Sequence, residues 1–420
     1  MRVTKAKKED VKRFDFEKKP HKPGFLFPVA REIICKPGLK MRDFKLKKVN
    51  METVNGPYLM LVTHSSMVDF FVMSVAVQPY RANNVMTLEG FNTYTEPLMR
   101  SLGVCGTRKY ITDLNLIKNI RYCIEKLENP FVLFPEARYS LDGCTSHIPE
   151  STGKLARMLR VPVIVLRIHG NFVTCPQWNK IDKKNRIEAE MIQIITKEET
   201  KTLSVEEMNA RIKKYFEYDD FKWQLENKVA INHPKRAEGL HCLLYKCPNC
   251  KTEHETDSKG TKLWCNHCGK EWEMNEYGQL HATEGETEYP HIPDWSNWER
   301  ACVRKEIEDG TYYFEDDVRV ETLPGSLKFY KQGMGKLIQT PTETRIECNY
   351  HGEPYTLVRS AKNLESMHIE YDYLGRGDCV DISIPDDSFW CYLSKRDAIT
   401  KISFATEEMY KLAISQSVSK

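Results

Sequence analysis

The sequence has no long apolar segment. None of its hydrophobic runs approaches the roughly 18 residues that span a bilayer, although 41% of its 420 residues are hydrophobic. Its first ten residues are polar and charged, unlike a secretory signal peptide. Internal repeats and low-complexity tracts are also missing. These absences argue against a membrane-spanning, a secreted or a repetitive protein, and they predict a folded cytoplasmic protein of two or three domains.

Charge is unevenly distributed along the chain. Residues 1–50 contain 16 Lys and Arg against 6 Asp and Glu, a net charge of +10, which leaves −7 for the rest of a chain whose total is +3. A basic leading segment favours an anionic partner, either a membrane surface or nucleic acid. A solvated arm is the alternative. Residues 25–48 mix apolar and basic side chains, which is typical of a helix at a membrane surface and also of a helix packed on a domain.

Short apolar runs alternate with helical patterns between residues 58 and 195. The runs predict strands at residues 58–62, 84–88, 131–134 and 163–168. Helices are predicted from Asp113 to Asn129, from Ser151 to Arg160, and from a capping box at Ser204 towards Asn227. This alternation predicts an α/β domain with a mostly parallel sheet and flanking helices.

The pattern changes after residue 238. Residues 238–285 form a small cysteine-containing segment, and strands are predicted beyond residue 312, at 318–321, 327–331, 345–348, 355–358, 368–371, 380–384, 389–393 and 402–404, before a closing helix at 406–415. We therefore predict a basic arm (1–24), an α/β domain (25–235), the cysteine-containing segment (238–285) and a β-rich, barrel-like module with a terminal helix (300–420).

A histidine and an aspartate, His64 and Asp69, follow the first predicted strand of the α/β domain. Inside one helix, five residues would place their side chains about 140° apart around the axis. With His64 in the loop and a helix starting near residue 65 or 66, the carboxylate can reach the imidazole. A carboxylate so placed fixes the ring tautomer and stabilises the protonated ring, as a general base requires. Ordinary surface chemistry is the alternative for so short a pattern.

Charged residues also follow the third predicted strand and a glycine-containing turn. Glu136 and Arg138 come after Pro135, at the edge where α/β sheets bind their ligands. Arg108 and Lys109 follow the turn. Because arginine binds phosphate or carboxylate groups through paired hydrogen bonds, these residues are candidate substrate ligands. A structural Glu–Arg pair and a solvated basic loop are the alternatives.

Four sequence blocks together resemble the 1-acyl-sn-glycerol-3-phosphate acyltransferase family of glycerolipid acyltransferases. Residues 63–69 (Thr-His-Ser-Ser-Met-Val-Asp) are similar to the family block Asn-His-x4-Asp, with Thr63 replacing Asn. Residues 103–109 and 134–140 (Phe-Pro-Glu-Ala-Arg-Tyr-Ser) resemble the second and third blocks, and residues 161–163 (Val-Pro-Val) resemble the fourth. The blocks occur in the family's order over roughly residues 25–200.

The resemblance implies a reaction and roles for the residues. His64, held by Asp69, would take the proton from a lysophospholipid hydroxyl, and the oxygen would attack the thioester of acyl-CoA or acyl carrier protein. The acceptor's phosphate would be bound by Arg108 or Lys109, Glu136 and Arg138.

Two departures from the family pattern concern this phosphate site. Arg108 stands one place before the family's arginine, where this chain has Lys109. Arg138 is also one place early, with Tyr139 at the arginine position and Ala137 in place of glycine. Both departures affect the acceptor site and leave the base untouched, so the reaction class is better supported than the identity of the acceptor.

Four of the 14 cysteines form two pairs, Cys247-Pro-Asn-Cys250 and Cys265-Asn-His-Cys268. Without a secretory signal, we expect reduced thiols rather than disulfides. Two such pairs predict a zinc ribbon, and its zinc is expected to be structural because four thiolates leave no open coordination position. The segment is expected to need this metal in order to fold.

The leading hypothesis is an acyltransferase of phospholipid biosynthesis, in the cytoplasm or resting on the cytoplasmic face of a membrane. One alternative is a nucleic-acid or protein-binding module, in which the ribbon and the basic arm make the contacts on a non-catalytic acyltransferase fold. Another is a scaffold that keeps the fold alone. The net charge of −7 outside the arm and the lack of a sequence resembling a nucleic-acid-reading helix disfavour nucleic acid.

Overall fold

The computed structural model describes residues 2–4, 13–91, 95–325 and 328–418. Residues 1 and 5–12 of the predicted basic arm, and residue 327 of one predicted strand, lie outside the described residues. Among those described, no helix combines the length and the apolar composition needed to cross a membrane.

The first part of the chain folds into an α/β domain. The N-terminal β1 (Arg2–Thr4) pairs outside this domain. The strands of the domain are β2 (Lys45–Val49), β3 (Leu59–Val62), β4 (Asn83–Thr87), β5 (Val104–Thr107), β6 (Phe131–Leu133), β7 (Val163–His169) and β8 (Glu188–Ile195). Its helices are α1 (Leu26–Ala30) and α2 (Lys36–Lys40), joined by a π-helical turn (Arg31–Cys35), then α3 (Asp69–Ala76), α4 (Glu96–Ser101), α5 (Leu114–Glu125), α6 (Ser151–Leu159), α7 (Asn171–Thr174), α8 (Glu199–Thr202), α9 (Val205–Phe216) and α10 (Asp220–Glu226).

The seven strands form one sheet in the order β2-β8-β7-β3-β6-β4-β5. Every neighbouring pair is parallel except β7 with β8. The mostly parallel sheet with flanking helices is therefore confirmed. Because β3, β6 and β7 run side by side in one direction, the loops that follow them meet at one edge of the sheet.

Local capping sets the helix boundaries in this domain. Asp113 accepts a hydrogen bond from the Leu116 N–H and starts α5, as the sequence predicted. The capping box of Ser204 and Glu207 starts α9. The single long helix predicted beyond it is wrong, because Asp219 accepts the Lys222 N–H and begins the separate helix α10.

The cysteine-containing segment forms a small antiparallel sheet. Its strands are β9 (Thr256–Lys259), β10 (Lys262–Cys265), β11 (Glu271–Met274) and β12 (Leu280–Ala282), in the order β12-β11-β10-β9. Helix α11 (Ile292–Glu308) follows, and its buried Trp295 packs edge to face on Trp272 of β11.

The C-terminal module contains seven antiparallel strands and a helix. They are β13 (Phe314–Thr322), β14 (Lys328–Thr340), β15 (Glu343–Tyr350), β16 (Glu353–Ser360), β17 (His368–Glu370), β18 (Cys379–Ser383), β19 (Ser388–Tyr392) and α12 (Ile399–Val418). The order is β16-β15-β14-β13-β19-β18-β17, with β1 pairing in parallel with β14. An antiparallel module is thus present, and the described strands form an open path in which β16 and β17 are the two ends.

The strand predicted at residues 402–404 is wrong, because these residues lie inside α12. Ile399, Ile402, Ala405 and Met409 are all buried. Their spacing of three and four residues is helical. The short Ile-Ser-Phe run also fits a period of two, so a window of three residues does not distinguish the two structures.

The C-terminal module shares an apolar core with the α/β domain. Leu323, Phe329 and Trp390 of the module lie in one buried cluster with Leu88 and Phe91 of the α/β domain. A second cluster joins the α/β domain, the small sheet and the module. Burial of such side chains stabilises the contact by about 1.5–3 kcal/mol each, so the module is fixed against the domain rather than loosely tethered to it.

Candidate active site

His64 and Asp69 meet at the carboxyl end of β3. Nδ1 of His64 lies 2.9 Å from Oδ2 of Asp69. The same oxygen accepts the backbone N–H groups of Ser65 at 2.7 Å and Ser66 at 3.0 Å. The sequence predicted a helix that starts near residue 65 or 66, but α3 begins only at Asp69. A turn over residues 65–68 instead returns the carboxylate towards the ring.

Asn171 completes the surroundings of the Asp69 carboxylate. Its Nδ2 donates to Oδ1 of Asp69, and its Oδ1 accepts from the Ser66 hydroxyl at 3.0 Å. Sequence reasoning missed Asn171, which lies 102 residues from Asp69. The available signal was its position directly after β7, at the same edge of the sheet as the loop of His64.

The imidazole of His64 lies between two aromatic rings and stays partly open. Its centroid is 4.4 Å from that of Phe134 and 4.2 Å from that of Tyr139. The side chain is 22% exposed. We assign the Nδ1 proton to the bond with Asp69, which leaves Nε2 as the free acceptor of a proton.

Glu136 lies behind the loop of His64 and does not face solvent. Its two carboxyl oxygens accept the backbone N–H groups of His64 and Ser146, each at 3.3 Å. Burial raises the pKa of Glu136 to about 8 and outweighs these two hydrogen bonds. In this position Glu136 connects the first and third sequence blocks.

The raised pKa of Glu136 predicts a pH-dependent stability. A carboxyl whose pKa is about 8 in the folded chain, against an ordinary 4.5, stabilises the fold fully below pH 4.5 and loses that contribution as the pH rises to 8. Glu136→Gln cannot ionise, so the unfolding temperature of the natural chain should fall relative to this variant between pH 5 and 8. The slope is at most about 1.4 kcal/mol per pH unit.

Thermal unfolding of both proteins at pH 5, 6.5 and 8 measures this difference. Glu125→Gln, which removes an exposed helical carboxylate paired with Arg121, should follow the natural chain at every pH. A difference between Glu136→Gln and the natural chain that is constant across the range would contradict the prediction.

Ala137 adopts a left-handed backbone conformation, with φ at 57°. Glycine reaches this region without a steric penalty, whereas a residue with a Cβ pays about 1 kcal/mol. The left-handed conformation therefore explains why the family pattern has glycine at this position. This chain adopts the conformation with alanine.

Arg108 contacts the C-terminal module through four acceptors. Nη1 donates to the Leu323 carbonyl at 2.8 Å and to the Ser388 hydroxyl at 2.9 Å. Nη2 donates to the carbonyls of Pro324 at 2.8 Å and Asp386 at 3.2 Å. The guanidinium expected to bind substrate is thus buried against protein.

Arg138 also has a protein partner. Its Nη2 lies 2.5 Å from Oε1 of Glu407 on α12, whose other oxygen lies 2.6 Å from Nη1 of Arg300. Burial alone would raise the pKa of Glu407, but Arg138 and Arg300 outweigh it and hold that pKa below its ordinary value. Of the alternatives for Arg138, the geometry matches the structural ion pair, although with a carboxylate far along the chain rather than with Glu136.

Lys109 is paired with a glutamate of the α/β domain. Its Nζ is 2.7 Å from Oε1 of Glu89, which also accepts from the Thr87 hydroxyl at 2.7 Å. Burial opposes ionisation of Glu89, but Lys109, His368 and Thr87 outweigh it and lower the pKa of Glu89 to about 2. Glu89 is therefore ionised at neutral pH.

The four paired cysteines converge on one point of the small sheet. Sγ of Cys247 lies 3.7 Å from that of Cys268, and Sγ of Cys250 lies 3.7 Å from that of Cys265. A tetrahedral zinc ion with Zn–S bonds of about 2.3 Å has ligand edges of about 3.8 Å. The donor type and the separations both fit zinc, so this group could hold the ion.

Residues 45–169 match the model of a protein family described as Acyltransferase. The chain is similar in structure to the 1-acyl-sn-glycerophosphate (LPA) acyltransferase PlsC from Thermotoga maritima, at 18% sequence identity over 45% of this chain and 79% of that one, with a TM-score of 0.35 that is too low to bear on the fold. Among curated proteins, none matches the sequence.

Proposed function

Since residues 45–169 form a domain of the Acyltransferase family, we propose that this chain transfers a fatty acyl group from acyl-CoA or acyl carrier protein to the hydroxyl of a lysolipid. His64 is the general base, and Asp69 orients it. The observation that carries the proposal is the 2.9 Å contact between Nδ1 of His64 and Asp69, on a His64 side chain that stays 22% exposed. A nucleic-acid-binding role would not explain why a histidine and a carboxylate are held together there.

The reaction follows from the free Nε2 of His64. The lysolipid hydroxyl gives its proton to Nε2 while its oxygen bonds to the thioester carbonyl carbon, which produces a tetrahedral oxyanion. When this species collapses, the carbon–sulfur bond breaks and the leaving thiolate takes the proton back from the imidazolium. Asp69 stabilises the imidazolium between the two steps. No acyl-enzyme is needed.

The same proposal places the enzyme on a membrane surface through the segment from Phe25 to Ile34. Phe25, Val29 and Ile33 recur every four residues and so lie on one helix face. Phe25 is 71% exposed and Ile33 69% exposed. Met67, in the loop between His64 and Asp69, is exposed as well.

Helix α2, which follows this segment, is packed on α3. Gly38 of α2 lies against the Phe71 ring, where an added Cβ would be 3.0 Å away. Lys36 and Lys40 follow the apolar side chains in the sequence, and Lys36 pairs with Glu32. Apolar side chains beside lysines match a bilayer that contains anionic lipids, and docking there would bring a lysolipid to the side of the domain that carries the loop of His64.

Ile33→Glu should weaken vesicle binding about tenfold or more. It removes an apolar side chain that the bilayer would bury, and it adds a charge of the same sign as the anionic lipid. Sedimentation with vesicles of phosphatidylcholine and an anionic phospholipid measures the binding. Met334→Glu, at an equally exposed site on β14 (63%), is the matched control. Equal loss in both variants, or in neither, would contradict a docking role for the Phe25–Ile34 segment.

The four-cysteine group is proposed to hold one structural zinc ion. Cys247 and Cys265 belong to the apolar cluster that includes Phe172 of the α/β domain and Val320 of the C-terminal module. The metal would thereby stabilise the junction of the three parts of the chain and take no part in acyl transfer.

The direct test of the function is an assay of the purified chain with acyl-CoA or acyl-carrier-protein thioesters and a panel of lysolipids. Mass spectrometry of the lipid extract should show a product heavier by one acyl group, with one free thiol released per product. A panel in which no acceptor gains an acyl group would contradict the proposed function.

A further inference from the structure

The structure gives protein partners to the cations that would bind an acceptor phosphate. Arg108 donates four hydrogen bonds to the C-terminal module. Arg138, whose side chain is 4% exposed, is paired with Glu407. Neither guanidinium is open to a ligand while the module is docked.

The module is held by more than these two arginines. Leu323, Phe329 and Trp390 lie in the same buried cluster as Leu88 and Phe91 of the α/β domain. Opening the module would expose these side chains to water and would separate Arg138 from Glu407. Opening the module would therefore be costly, which favours the docked arrangement of the site.

The remaining candidate cation, Lys109, is paired with a carboxylate. Glu89 lies 2.7 Å from its ammonium group. Glu370 of β17 also interacts electrostatically with Lys109, and its Oε1 lies 3.3 Å from Nε2 of the buried His368. A phosphate entering here would have to compete with Glu89 for the ammonium group and would be repelled by both carboxylates.

The residue beside the proposed base also lacks the positive charge that the family pattern has there. Tyr139 stands where the family pattern has arginine, and its ring centroid lies 4.2 Å from that of His64, with the two rings tilted by 38°. The carboxylates of Asp69, Glu370 and Glu89 all act on the Tyr139 hydroxyl, although burial is the largest influence on it. The group next to the proposed base is therefore an uncharged phenol, where the family pattern has a cation.

From this geometry we infer that the acceptor carries no phosphate and is a neutral lipid alcohol, of which a monoacylglycerol is the simplest. The inference rests on the proposed acyltransferase function and departs from the lysophospholipid that the resemblance implies. Hydroxyl groups of a glycerol donate hydrogen bonds to carboxylates such as Glu370, whereas a phosphate dianion is repelled by them. Acceptor choice would thus be set by Glu89, Tyr139 and Glu370.

Two acceptors that differ only in the phosphate test the inference. With oleoyl-CoA as donor, kcat/KM for 1-oleoylglycerol should exceed that for 1-oleoylglycerol 3-phosphate at least tenfold, in neutral and in anionic vesicles alike. Glu89→Gln should raise use of the phosphate acceptor relative to the neutral one about tenfold, because it leaves Lys109 without its partner. The added Lys109→Met should remove that gain.

Glu125→Gln is the matched control, since it removes a paired carboxylate on the exposed face of α5 and should leave the ratio unchanged. A preference for the phosphate acceptor in either kind of vesicle would overturn the inference. A Glu89→Gln ratio equal to that of the natural chain would also overturn it.

A binding measurement separates this inference from the proposed function. Calorimetric titration with glycerol 3-phosphate should show no binding to the natural chain and Lys109-dependent binding to Glu89→Gln. If the natural chain binds glycerol 3-phosphate and Lys109→Met abolishes that binding, the inference fails whether or not the enzyme turns over. Absence of transfer to both acceptors, with these binding results as expected, would contradict the proposed function alone.

Discussion

His64→Ala is expected to lower the rate of acyl transfer about 10²- to 10⁴-fold, the range that a positioned general base contributes. Asp69 cannot take the proton in its place, because Asp69 is buried and its oxygens already accept the N–H groups of Ser65 and Ser66 and the amide of Asn171. The loss should appear in kcat with little change in KM.

The fold should survive this change. The ring of His64 is partly exposed and its backbone bonds, to Glu136 and from Ser140, do not involve the side chain. The unfolding temperature and the zinc content are therefore expected to stay close to those of the natural chain. Asp69→Ala is a poorer test, because it would leave two buried backbone N–H groups without an acceptor and destabilise the turn.

His281→Ala is the matched control for the assay. His281 is exposed on β12. Among the described hydrogen bonds, its side chain makes only one, with the Asn275 side chain. It should keep full activity. Transfer that persists at the natural rate in His64→Ala would exclude His64 as the base, even if the chain remains an acyltransferase.

Cys265→Ser should remove the zinc and lower the unfolding temperature by more than about 10 °C. Structural zinc supplies roughly 10–16 kcal/mol in small zinc modules, comparable with the entire stability of an ordinary domain. Cys265 is fully buried, in the apolar cluster that also contains Trp272 and Trp295. Loss of the ion should therefore loosen the junction with α11 and the C-terminal module as well as the small sheet.

Elemental analysis and calorimetry measure the two effects. The natural chain should contain one zinc ion per molecule and Cys265→Ser none. Cys302→Ser, which changes a half-buried thiol on α11 outside the four-cysteine group, should retain the metal and the unfolding temperature. A natural chain that is purified without zinc and that unfolds at the same temperature with and without a chelator would contradict a structural metal.

The parts of this protein that are local in sequence were predictable. Four of the seven strands of the mostly parallel sheet, the cap at Asp113 and the capping box at Ser204 were predicted, and all depend on neighbours within a few residues. Strand edges and N-caps leave a local pattern, because each is set by the burial period or by one side chain reaching the next turn. The strand predicted at residues 402–404 was wrong, because a run of three residues fits either the strand period or the helix period.

The proposed catalytic pair is also a local feature. His64 and Asp69 are five residues apart and follow a buried strand, so chain geometry alone restricts how they can meet. The two cysteine pairs behave alike, because each CxxC unit presents its thiols in one tight turn. Asn171 needed the sheet, which brings the loop after β7 beside the loop after β3.

The sequence by itself determined the α/β layout, and it was enough to propose His64 as the base and the four paired cysteines as zinc ligands. Only the tertiary structure decided what the arginines do. Arg108 contacts residues more than 200 positions away, and Arg138 contacts Glu407 at a separation of 269. A buried cation must be paired. Whether its partner is a ligand or a distant carboxylate depends on how two domains dock. Docking cannot be read from the sequence, because it produces no periodic pattern of residues.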